Sequence, residues 1–192
     1  MSLFYTFIRP VFYLFIKDPS GDKKWVDWLF PCFITSILVM FFIKEDMPRI
    51  VGNDGILSKL AGFLQIMPGF YLTALAAVST FTNSNLDLLL PEPYPTISIM
   101  YNGYKIKNMA LTRRRFLNYL FSYLTILSLL LYFTIIITEL FVDTNFTKYI
   151  FFQRWIKPIL IWSYTLFLFQ MLSITIFSLY QLCERIHQVE NK

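Results

Sequence analysis

Three stretches of this 192-residue chain contain no charged residue, 60–86, 116–138 and 158–183, and a shorter fourth runs over 28–43. An α-helix needs about 20 mostly apolar residues to cross the roughly 30 Å hydrocarbon layer of a bilayer. A soluble protein of this size rarely places such runs side by side. The pattern predicts an all-α membrane protein, a four-transmembrane-helix bundle with spans at 25–43, 57–81, 115–141 and 157–183. So much of the chain lies in spans that 1–192 reads as a single membrane domain with no separate globular unit. Composition agrees. The chain is 56% hydrophobic and 15% charged, and its 19% aromatic content suits girdles of rings at the two interfaces.

Local signals mark the span ends. Asp27 can cap the first span, with Pro31 in its first turn and Lys44-Glu45-Asp46 closing it. Trp25, Trp28, Trp155 and Trp162 read as interface anchors. Pro68-Gly69 in the second span marks a hinge or a static kink. Of the Lys and Arg residues in the connections, eleven fall on the side holding both termini and six on the other. The positive-inside rule then puts both termini and the central connection in the cytoplasm. Residues 2–16 are apolar but broken by Arg9-Pro10, and reach only about 22 Å as a helix, too short to span. They read as an N-terminal interfacial or re-entrant helix, with a loosely packed apolar tail as the alternative.

The connection 82–112 is the only sizeable polar piece. Its LPEPYP run at 90–95 cannot continue a helix. The β-prone segments 96–101 and 104–107 then flank Asn102-Gly103, the strongest short hairpin signal. A small cytoplasmic β-hairpin between spans two and three follows. A lone two-stranded hairpin is marginal in water, so it should pack on something. Its candidate partner-binding residues are Tyr94, Tyr101, Tyr104, Lys105 and Lys107. Thr112 is a natural N-cap for the third span. Behind it Arg113, Arg114 and Arg115 read as positive-inside anchors or as a site for anionic lipid head groups. With no stacking platform beyond Tyr104, they make a poor nucleic-acid groove, and no direct nucleic-acid contact is expected.

Catalytic chemistry needs convergent polar groups, and none converge here. Ionisable groups deep in a span usually mark function, yet the nearest one in the sequence, Glu139, sits at a span end. One His and two distant Cys make no metal constellation. No glycine-rich phosphate loop or HExxH pattern is present. The chain is read as a non-enzyme without cofactors. What the spans do offer is uncharged polarity. Asn118, Ser122, Thr125 and Ser128 share a helical face, and Gly69, Thr73 and Ala77 recur every four residues. The common use of both patterns is helix–helix packing; a polar pore is the rarer one.

GFYLTALAAVSTF at 69–81, the NSNLD that follows, the NG hairpin and LTRRRFLNYLFSYL at 111–124 together resemble the four-span membrane subunit of Kiwa-type anti-phage defence systems. The likeness covers about a third of the chain. It implies a bacterial inner-membrane homo-oligomer, a tetramer among the states allowed, surrounded by membrane lipids and paired with a soluble cytoplasmic DNA-engaging effector. The implied role is a sensor and scaffold. A membrane-depolarising pore and a helper subunit of a membrane enzyme or transporter are the alternatives.

Overall fold

The computed structural model describes residues 9–44, 56–82, 84–90, 92–101, 104–141 and 157–183. Among these residues the chain is mostly helical, with four helices long and apolar enough to cross a membrane and one two-stranded antiparallel sheet. The helices are α1 over 22–44, α2 Ile56–Thr80, α3 Arg113–Phe141 and α4 Lys157–Cys183. Three of the four expected spans match to within two residues. The first begins earlier than expected, and the reason is local. Asp18 accepts hydrogen bonds from the Ser20 amide and hydroxyl and from the Lys23 amide at 3.1 Å. Gly21 then adopts the left-handed conformation, φ 82°, which glycine tolerates without a Cβ clash. This turn starts the helix at Asp22, so Asp27 is not a cap but lies inside α1.

Pro31 therefore sits in the helix interior rather than in a first turn. A proline there removes one hydrogen bond and crowds the carbonyl four residues back. The chain accommodates it by widening Trp25–Leu29 into a π-helical turn, after which Phe30–Lys44 continues as α-helix. Pro68, by contrast, is carried inside an unbroken α2.

Helix α2 buries Leu64, Tyr71 and Val78, with Leu60, Met67 and Ala74 half-buried between them. These alternating three- and four-residue steps make a continuous seam down one side. That seam meets α3, the most extensive contact between helices. Helix α3 answers with Leu117, Leu120, Phe121, Leu124, Leu131 and Ile135, all buried. It also touches α4, which in turn carries α1.

Of the expected N-terminal helix, residues 2–8 lie outside the described residues. The remainder is a short 3-10 segment, Arg9–Phe15, packed on α3 with Tyr13 fully buried. A single helical turn, Ser84–Asp87, follows α2 and buries Leu86.

The expected hairpin is present as β1, Thr96–Tyr101, and β2, Tyr104–Ala110; its Asn102-Gly103 turn lies outside the described residues. The second strand runs past Lys107 because of a bulge. Ile99 pairs with Ile106 and Ile97 with Met109, so one strand holds an extra residue, where Asn108 takes a positive φ of 53°. Without that bulge, Ile106 and Met109 would point to opposite faces. With it, Ile97, Ile99, Ile106 and Met109 share one apolar face. The sheet is tied down by paired backbone bonds between Lys17 and Thr96, each 2.9 Å, and by Leu90 N–H to the Leu111 carbonyl at 3.2 Å. The hairpin thus packs on its own chain.

Candidate functional site

Lys23 and Asp27 stand one turn apart on α1, a spacing that brings side chains together. Both are buried, and Lys23 Nζ lies 2.7 Å from Asp27 Oδ2. The other carboxylate oxygen accepts the Tyr13 hydroxyl at 2.9 Å, and the ammonium also lies 4.5 Å over the Tyr13 ring. Burial, and then the negative charge of Asp27, push the Tyr13 phenol well above its ordinary range, so it stays a donor.

From Tyr13 the cluster extends inward. Its ring stacks on Tyr123 of α3 at 5.4 Å between centroids, and Tyr123 donates to Gln170 Oε1 of α4 at 3.0 Å. Ser173, one turn on, donates to the Val26 carbonyl at 2.8 Å, within the π-helical turn. The widened turn thus presents a backbone acceptor to α4. Tyr13, Lys23, Asp27, Tyr123 and Gln170, from the 3-10 segment, α1, α3 and α4, form one polar cluster. Tyr123 lies ten residues into α3, about 15 Å along the helix from Arg113. Lys23 and Asp27 themselves lie in the first two turns of α1, and the ion pair reaches Tyr123 and Gln170 through the Tyr13 side chain.

Elsewhere Tyr71 of α2 and Thr175 of α4 share a hydrogen bond at 2.6 Å. The triple arginine divides its labour. Arg114 makes a two-pronged pair with Asp87, 2.8 and 3.1 Å, and also donates to the Val78 and Ser79 carbonyls at 3.0 and 3.3 Å. It caps the C-terminal end of α2 and binds it to the start of α3. Arg113 is half-buried, and Arg115 is exposed beside Met109 Sδ at 3.5 Å. Thr112 Oγ1 accepts from the Arg115 amide at 3.4 Å, the capping geometry expected of it.

The Arg114 hydrogen bonds hold the Asp87 carboxyl below its usual 3.8. A depressed folded pKa stabilises above the unfolded value and is lost as pH falls through the folded one. The clamp should therefore be complete above about pH 4 and weaken only at lower pH. Arg114→Gln is expected to lower the melting temperature in detergent at pH 7 and to flatten the acid limb of its pH profile. Arg114→Lys should not restore it, because a point charge cannot make the two-pronged contact. Full rescue by lysine would contradict the clamp.

The predicted partner-binding residues gather at the sheet. Tyr94 is exposed ahead of β1, Tyr101 and Tyr104 are cross-strand partners at the turn, Lys105 pairs with Met100, and Lys107 is exposed. The predicted packing residues divide. Thr125 and Ser128 are buried, with hydroxyls bonded to the Phe121 and Thr125 carbonyls, whereas Asn118 and Ser122 are half-buried and border an open groove. Gly69 and Thr73 are exposed and Ala77 is half-buried, so within one chain this stripe is not the α2 packing seam.

Sequence reading missed the Tyr13–Asp27–Lys23 cluster. The one available signal was the four-residue spacing of Lys23 and Asp27. Comparison of the chain with protein-family models, curated proteins and solved structures finds no match in any of the three.

Proposed function

We propose that this chain is a non-catalytic sensor and scaffold of the bacterial inner membrane, which oligomerises and recruits a soluble cytoplasmic effector in anti-phage defence. Its four long helices cross the bilayer, and both termini and the hairpin face the cytoplasm. The outer faces of those helices support insertion: Phe33, Met40, Ile66 and Leu140 are 67–72% exposed, a distribution that suits lipid and not water.

The observation that carries the sensing role is the covalent and hydrogen-bonded route from the buried ion pair to the sheet. Asp27 holds Tyr13, and four residues later Lys17 is bonded in both directions to Thr96, the first residue of β1. A buried ion pair is held in one geometry because separating its partners leaves an unpaired charge. Membrane disturbance that shifts α1 against α4 would strain the Ser173–Val26 and Tyr13–Asp27 hydrogen bonds, and through Tyr13 and Lys17 would move the hairpin. The resemblance to the Kiwa membrane subunit supplies the biological setting. Conduction is the weaker reading, because Thr125 and Ser128 turn inward and bond their own helix.

The test extracts the chain from its native membrane in detergent and identifies the soluble protein that co-purifies with it. Replacing residues 97–109 by a glycine–serine linker should abolish co-purification while leaving the chain in the membrane fraction. Undiminished recovery of the soluble protein would contradict docking at the sheet.

A further inference from the structure

The apolar sheet face does not close fully on α3. Between them lies an open groove of about 680 Å³, with Arg9 at one side and Arg115 at the start of α3. Ile99, Ile106 and Met109 form one wall and Tyr119 the other. From Arg115 the α3 wall continues to Ser122, seven residues or about 10 Å along the helix axis. Among the described residues neither guanidinium meets a carboxylate. Asp87, the carboxylate that does meet the arginine triplet, is engaged by Arg114.

Two cations that meet no carboxylate among the described residues, lining one largely apolar groove, suit a ligand that is anionic at one end and hydrocarbon at the other. An acidic peptide would match the arginines but not the trough, and a neutral lipid would match the trough alone. We infer that this groove binds one anionic phospholipid, its phosphate between Arg9 and Arg115 and an acyl chain along Tyr119 and the isoleucine wall. Such a lipid would brace the sheet against α3, so that local lipid composition sets the hairpin's position. The inference rests on the membrane reading above.

The test is native mass spectrometry of the detergent-purified full chain, titrated with phosphatidylglycerol, phosphatidylcholine or inorganic phosphate. Flotation with phosphatidylcholine vesicles checks membrane association separately. Phosphatidylglycerol should bind first and at lower concentration than phosphatidylcholine. Arg9→Gln or Arg115→Gln should each weaken it roughly fivefold, and the pair roughly twenty-five-fold. Lys24→Gln, a charge change on the exposed start of α1 outside the groove, should leave it unaltered. Should the double variant misfold, Ser122→Phe offers a second arm, expected to weaken binding by filling the trough. Equal binding of the two lipids, or binding unaffected by these variants, would overturn the site. So would tight binding of inorganic phosphate without lipid selectivity. A chain that fails to float would instead overturn the membrane reading.

Discussion

Asp27→Ala is expected to destabilise the chain by about 3–5 kcal/mol, the usual consequence of removing one partner from a buried ion pair. The Lys23 ammonium would remain buried without its carboxylate, and the Tyr13 hydroxyl would lose its acceptor. For a chain of this size that corresponds to a fall of roughly 10 °C in melting temperature, readable by size-exclusion survival after heating in detergent. The double variant Lys23→Met with Asp27→Leu separates charge stranding from packing. With neither charge left to strand, it should return to within about 1 kcal/mol of the wild type. A single variant as stable as the wild type, or a double variant as damaged as the single, would contradict the cluster's energetics. Tyr13→Phe should fall between, because the carboxylate then keeps its ammonium and loses one donor.

Leu130→Lys is the second large effect. Leu130 lies well inside α3 and is 59% exposed. In water a lysine there would be harmless. At the centre of a spanning helix it costs about 2.5–3.5 kcal/mol on insertion scales. Membrane-fraction yield should therefore drop sharply, while Leu130→Ala should remain within about 0.5 kcal/mol of the wild type. Leu120→Ala gives the complementary contrast. Leu120 is fully buried in α3, and truncation should cost roughly 2–3 kcal/mol. The figure lies low in the usual range because lipid is as apolar as leucine, leaving mainly packing to lose. A Leu130→Lys chain that inserts normally would count against lipid exposure of this face.

Features set by neighbouring residues were legible; features set by distant ones were not. The uncharged runs marked α2, α3 and α4 because helix length and apolarity are local properties. Asn102-Gly103 marked the hairpin for the same reason. The start of α1 was also written locally, in Asp18-Pro19-Ser20-Gly21, but the tryptophans and Asp27 beyond it looked like a more persuasive boundary. The cluster was hidden because Tyr13 and Asp27 are fourteen residues apart and meet only when the 3-10 segment folds against α3. The polar line from Asn118 to Ser128 was readable as a face. Its division between groove and core depends on where the sheet and α4 sit, which no helical spacing specifies.

The central claim is that the chain crosses the membrane four times and keeps its hairpin on the side of its amino-terminal segment. Single cysteines at positions 20, 107 and 148, in a background with Cys32 and Cys183 replaced by alanine, test it with a membrane-impermeant thiol reagent on inside-out and right-side-out vesicles. Positions 20 and 107 should react only in inside-out vesicles, and position 148 only in right-side-out ones. Labelling of 107 and 148 from the same side, or of 20 and 107 from opposite sides, would contradict it.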